Sequence, residues 1–185
     1  MITPEVKEAG LDMIPTSSTI NQLSMGDALA ISTLKKKKIN NLDFKKFHPS
    51  GSLGEKLKTA EDLMLTKDKI PFIDENKLMT EALKIMTKKK LGTLIVRNKK
   101  KFTTGIITDG QIRRFNSKNI NLNSLKVKDV MTKKPIKIDK NILATKALAI
   151  MNEKKITSLC VYDKKKRFIT IGILHIHNIL NKKIY

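Results

Sequence analysis

Apolar positions along this chain follow two rhythms, and each occurs twice. Leu78, Ala82, Leu83 and Met86 share one face at helical spacing, and Leu143, Ala147, Ile150 and Met151 repeat the stripe. Both stripes read as core packing. A short apolar run comes next in each place, TLIV at 93–96 and SLCVY at 158–162, with the composition of a buried strand. A lysine-rich turn and a second strand follow, FTTGIIT at 102–108 and FITIGIL at 168–174, each leading into a short helix. The predicted unit is therefore β-α-β-β-α, recurring with a period of 65 to 67 residues. Asp62 and Met64 align with Asp129 and Met131, and Gly105 aligns with Gly172. Asp62 and Asp129 are expected to begin equivalent strands, as caps or as lining of a cleft. Neither unit can bury its sheet face alone, so the two are expected to pack sheet on sheet or helix on helix.

The segment ahead of the repeat, up to about residue 58, has a different pattern. PTSSTINQLSMGDALAISTLKKKK at 15–38 opens on a Ser/Thr cluster suited to capping a helix. Leu23, Leu29 and Leu34, with Ala28, Ala30 and Ile31, then make a helix from about Thr19 to Lys38 that is apolar around much of its circumference. Such a helix calls for burial in something larger.

Composition narrows the function classes. Hydrophobic residues make up 40% of the 185, with aromatics sparse, so the core rests on Ile, Leu, Met and Val. Each of these contributes roughly 1.5–3 kcal/mol when fully covered. The formal charge of +21 raises the question of nucleic acid. Four arginines accompany 34 lysines, and the lysines cluster at expected turns and helix ends (35–38, 88–90, 99–101, 164–166). Specific base or phosphate reading favours the arginine fork, so a solvated surface is the reading taken, with a weak non-specific polyanion binder as an alternative and no specific nucleic-acid partner. Cys160 sits inside an apolar run and reads as a small buried hydrophobe. A single cysteine forms no internal disulfide, which fits a reducing cytoplasm. No apolar stretch reaches the roughly 18 residues of a membrane span, and no membrane partner is expected.

The paired units, each opening with Asp-hydrophobic-Met and closing with Gly-hydrophobic-hydrophobic-Thr/His, resemble a tandem cystathionine-β-synthase-type (CBS) domain pair over residues 60–185. The resemblance implies regulatory modules at 60–118 and 127–185 that bind adenosyl or other nucleotide ligands in clefts between repeats. Taken in order, PTSSTINQLSMGDALA, DFKKFHPSGSLG, EDLM, GIITDGQIRR and GILHIHNIL resemble the C-terminal part of the arabinose-5-phosphate isomerases. Those proteins join an N-terminal sugar isomerase (SIS) domain to a CBS pair. They interconvert D-ribulose 5-phosphate and D-arabinose 5-phosphate for synthesis of Kdo, a lipopolysaccharide sugar. The implied fold class is α+β: a tandem CBS pair preceded, over 1–58, by a helical remnant of an SIS α/β domain.

The resemblance assigns the catalytic histidine of that family to His48. An imidazole can both take and give the proton that moves through an enediol. Pro49 fixes a backbone angle there, and Gly51 and Gly54 permit close approach of chain to a sugar phosphate. Phe47 and Ser50 depart from the family's serine and glycine. The family's phosphate-binding loop, early lysine and catalytic glutamates would lie upstream of Met1. A lone acid–base group contributes typically ~10²–10⁴ in rate and only on a held substrate. The chain is therefore expected to be inactive alone, its sugar phosphate bound only by the intact enzyme. Asp27 either lines that site or serves as a helix-dipole partner.

For the clefts, the resemblance points to Thr108, Gln111, Arg113, Arg114, Asn76, Asp129, His175 and Asn178. Gln111 and Asn178 stand where ligand-binding CBS repeats carry an aspartate for the ribose hydroxyls, and His175 replaces a threonine. A neutral acceptor weakens such a contact by about one kcal/mol per site, roughly tenfold. A phosphate, nucleotide or anionic sugar nucleotide is then the expected effector, helped by Thr108, Arg113 and Arg114. His175 and His177 would share one strand face if extended, but metal ligation needs more ligands, so no metal or cofactor is expected. CBS pairs commonly dimerise, which implies a homo-oligomer. A stand-alone CBS-pair ligand sensor is the alternative function.

Overall fold

The computed structural model describes residues 7–10, 13–48, 50–117 and 120–182. The chain divides into two units, Met1–Phe47 and His48–Tyr185.

In the first unit, helix α1 (Ser17–Lys36) is followed by α2 (Asn41–Phe47). The start of α1 lies slightly ahead of the expected Thr19, and its cap differs from the expected one. Glu8 reaches across the turn so that its carboxylate accepts the Thr16 N–H at 2.6 Å, the Thr16 hydroxyl at 3.0 Å and the Ser18 N–H at 3.1 Å. A full negative charge at the positive end of the helix displaces the neutral hydroxyls from that role. The hydrogen bonds from Ser18 and Thr16 hold the Glu8 carboxyl down to about 2. Along α1 no residue is buried. Ile20, Leu23, Leu29 and Ile31 are each more than half exposed.

The second unit opens with α3 (Gly51–Lys56) and α4 (Ala60–Leu63). The first repeat continues through β1 (Phe72–Asp74), α5 (Met79–Lys89), β2 (Thr93–Arg97), β3 (Thr103–Thr108) and α6 (Asp109–Asn116). The second comprises α7 (Val127–Val130), β4 (Thr132–Lys133), β5 (Lys137–Asp139), α8 (Ala144–Lys154), β6 (Ser158–Tyr162), β7 (Gly172–His175) and α9 (Ile176–Leu180). The β-α-β-β-α order holds in both copies. Asp62 and Asp129 do not begin strands. Each is the third residue of a helical turn, where its carboxylate accepts a backbone N–H: from Thr59 at 2.6 Å and from Lys126 at 3.3 Å. A capping box of this kind favours the turn over extension.

Two small sheets form, ordered β1-β2-β3-β4 and β5-β6-β7. In each, the first pair is parallel and the second antiparallel. They pack face to face around Ile70, Ile95, Cys160 and Ile173, while helices cover their outer faces. Because both faces are covered, β2 and β6 are apolar on alternate sides without a polar phase. Leu94 and Val96 point to one helical core and Ile95 to the sheet interface; Leu159 and Val161 point to the other core and Cys160 to the interface. Burial pushes the Cys160 thiol up to about 11, which keeps it protonated.

The two copies exchange their opening segments. Ala60 and Leu63 sit in a core otherwise built from the second repeat, and Val127 and Val130 sit in the core of the first. The Ala60 N–H donates to the Ile142 carbonyl at 2.8 Å, and the Val127 N–H to the Lys77 carbonyl at 2.9 Å. Thr132 pairs with Ile106 at the edge of one sheet, and Leu65 with Ile173 at the edge of the other. Two glycines make room for this crossing. A Cβ on Gly105 would collide with the Met131 side chain, its Cγ at 2.8 Å, and one on Gly172 would collide with Met64, its Cγ also at 2.8 Å.

A basic cleft between the two repeats

The end of β3, the first turns of α6 and the end of β7 open onto a cleft of about 720 Å³ between the repeats, a size suited to a small ligand. Its cations are Lys90, Arg113, Arg114, Lys134 and Lys155, against the single carboxylate of Asp109. Lys90 and Lys155 are equivalent residues that end α5 and α8 in the left-handed conformation, with φ of 54° and 51°. A C-cap of this geometry normally takes glycine or asparagine. Here it turns the chain so that a lysine from each repeat lines the cleft. Gly92 is confined by position: at φ +60°, a Cβ there would lie 2.5 Å from the Asp109 carboxylate. Thr108, Thr132, Thr157 and Ser158 belong to the same walls.

Of the residues singled out from sequence, Thr108, Gln111, Arg113, Arg114 and His175 line this cleft together. Gln111 is already engaged. Its Oε1 accepts the Thr108 N–H at 2.9 Å, and its Nε2 donates to the Val130 carbonyl at 3.4 Å and to the Thr132 hydroxyl. Its amide ties α6 to the exchanged segment. Arg114 is steadied by a bond from Nε to the Gly110 carbonyl at 3.2 Å.

His175 caps α9, and its Nδ1 accepts the His177 N–H at 3.3 Å. In the neutral ring that pattern puts the proton on Nε2. The two imidazoles stack, with centroids 5.1 Å apart and 29° between planes. They are not on one strand face as expected for an extended run, since the chain turns helical at Ile176. Burial, and then the neighbouring His177, lower the pKa of His175. Among the described residues, no group of three or more His, Cys, Asp or Glu is placed to hold a metal ion.

Asn178, Asn76 and Asp129 are not among the residues lining the cleft. Asn178 Oδ1 accepts the His175 N–H at 3.1 Å, Asn76 donates from its backbone to Asp74 at 2.9 Å in a turn after β1, and Asp129 caps α7. Asp27 is exposed near the middle of α1, too far from the first turn for the helix-dipole role. His48 is exposed ahead of α3, Gly51 takes φ +76°, and Pro49 lies outside the described residues.

Sequence reasoning missed Lys90 by reading its cluster at 88–90 as a solvated end, and it did not single out Lys134 or Lys155. A lysine at the same place after both apolar stripes was the available signal.

A model of the CBS domain matches residues 60–118 and 127–184. Among curated proteins, an uncharacterized protein of Rickettsia prowazekii is 38% identical over 96% of this chain and 54% of its own length. The arabinose 5-phosphate isomerases KdsD of Yersinia pestis and Escherichia coli K12 are 39% and 38% identical over 92% of this chain and 51% of theirs. The chain thus spans about half the length of the curated relatives it matches. Among solved structures, CBSX2 in complex with AMP aligns with a TM-score of 0.59 at 22% identity, covering 68% of this chain and 96% of that one. A CBS domain pair in complex with 5′-methylthioadenosine and S-adenosyl-L-methionine aligns with a TM-score of 0.59 at 19% identity, covering 67% and 94%. At those identities the likeness is one of fold. Two matched stretches, two interlocked copies of one unit and a shared fold agree: this chain belongs to the CBS domain family, as a tandem pair.

Proposed function

We propose that this chain is the regulatory and assembly portion of an arabinose-5-phosphate isomerase, and that its basic cleft receives an anionic effector. The observation that carries the first part is the extent of the similarity to KdsD. At 92% of the chain it reaches well beyond the two CBS stretches into the leader. Residues 1–58 are then the end of a sugar isomerase (SIS) domain, followed by CBS domains at 60–118 and 127–185. The exposed apolar positions of α1 support this reading, because they need a partner to cover them. His48 would serve aldose–ketose isomerisation of D-arabinose 5-phosphate and D-ribulose 5-phosphate, with Asp27 lining the completed site. The intact enzyme would work in the cytoplasm, supplying Kdo for lipopolysaccharide, as a homo-oligomer held through its CBS pairs. A lone imidazole without a held substrate leaves the 185-residue chain inactive. Turnover of ribulose 5-phosphate by the chain and by its His48→Ala variant tests this. Neither is expected to act, and activity in the first that is lost in the second would refute the reading.

Related pairs solved with AMP support a nucleotide or sugar-nucleotide effector. In this cleft the support comes from five cations around one carboxylate, not from ribose-binding acids. Affinity is therefore set by phosphate. Calorimetric titration with pyrophosphate, AMP and adenosine should rank them in that order, and adenosine competing as well as AMP would overturn the assignment.

A further inference from the structure

A second basic surface, separate from the cleft, is built from the two hairpin turns at the start of β3 and ahead of β7. Phe102 and Phe168 stand there 39% and 67% exposed. Their rings pack on each other, with centroids 5.6 Å apart and tilted by 42°. Lysines at 99–101 and 164–166, with Arg167, flank the pair, and all are exposed. Asp163 is the only acid in the two turns. Its carboxylate is taken by the Lys165 N–H at 2.9 Å and by Lys140 at 3.2 Å, so it leaves the field of the surface positive.

We propose that these two turns dock the protein on the surface of an anionic lipid bilayer, the phenyl rings entering the interface and the lysines meeting lipid headgroups. Three features favour that occupant. Part of the turn backbone is already satisfied: the Phe102 N–H donates to Asn98 Oδ1 at 3.0 Å, the Thr103 N–H to the Phe168 carbonyl at 2.8 Å, and the Lys166 and Ile169 N–H groups to carbonyls within their own turn. The Phe102 ring can therefore leave water without carrying its own amide unpaired into the interface. Lysine predominates, and diffuse phosphate headgroups need only point charges nearby. The rings lean on each other as a hydrocarbon knob, whereas binding of single-stranded nucleic acid needs open aromatic shelves. The lack of a spanning helix among the described residues bears on crossing a bilayer, not on resting against one.

The full chain has no tryptophan, so Phe168→Trp is a unique reporter. Its emission should shift to the blue with vesicles of equal parts phosphatidylglycerol and phosphatidylcholine, and stay unchanged with phosphatidylcholine alone. In co-sedimentation, the pair Phe102→Ser and Phe168→Ser should weaken binding by about tenfold. Charge reversal of Lys164, Lys165 and Lys166 to Glu should abolish it, while the same reversal at Lys35, Lys36 and Lys37 should leave it intact. Equal losses from the two reversals, no binding to anionic vesicles, or tighter patch-dependent binding to single-stranded DNA would each overturn the proposal. Circular dichroism of every variant controls for folding.

Discussion

Thr93 and Ser158 bring their hydroxyl oxygens to 3.3 Å in the buried middle of the pair, across 65 residues of chain. They are the same position in the two repeats, so each residue meets its own counterpart. Thr103 and Thr170 do likewise at 2.7 Å, across 67 residues. The two separations equal the sequence period, which places a pseudo-twofold relation between the sheets. Whatever crosses this relation does so twice.

The exchanged segments depend on Gly105 and Gly172. Gly172→Ala forces its new methyl into the Met64 side chain, and should destabilise the protein by roughly 1–3 kcal/mol. Combining it with Met64→Ala should recover part of the loss, so a double-mutant cycle in urea should give a coupling well above zero. Additivity would mean that the contact does not set the cost.

Lys155 combines a strained backbone with a useful charge. Lys155→Gly relieves a left-handed conformation at the C-cap of α8, and should raise stability by about 1 kcal/mol. The same change removes one of the cleft cations, so pyrophosphate should bind more weakly. Thermal melts and calorimetry on one variant check both signs.

His175 gives the cleft a pH dependence. Burial lowers its pKa, so the folded state favours the neutral ring. The associated stability is present above the ordinary histidine value of about 6.5 and is lost as pH falls through the depressed one. A bound anion acts in the opposite direction by stabilising the imidazolium. Titration of the His175 ring by NMR should show its midpoint move upward when pyrophosphate is added, and affinity should rise as the pH is lowered. An unmoved midpoint would place the anion elsewhere.

Cys160 should be inert in the folded protein. It is fully buried at the sheet interface and its thiol is pushed up to about 11. Iodoacetamide at mildly alkaline pH should label it only after denaturation, at a rate that follows unfolding. Rapid labelling of the native chain would contradict the packing of the two sheets.

The repeat was legible because its marks are side chains under steric constraint. Met64 and Met131 pack against Gly172 and Gly105, so all four recur at fixed offsets. Which core each opening segment joins was not legible. Ala60 and Val127 are equivalent, and a sequence that is the same in both copies cannot say whether a segment folds onto its own copy or the other. The cleft was half legible. Thr108, Arg113 and Arg114 follow a recognisable turn, but Lys90 and Lys155 look like any lysine after a helix until the left-handed backbone turns them into the cleft wall. The cap of α1 was missed for a similar reason, since Glu8 stands eight residues before the Thr16 amide it holds.

Because each repeat is closed by a helix borrowed from the other, the pair cannot be divided between Ser117 and Lys126 into two working halves. A cut there leaves each fragment carrying the wrong lid for its own sheet. Evolution and the engineer face the same constraint: such modules must be duplicated, lost or transplanted in twos.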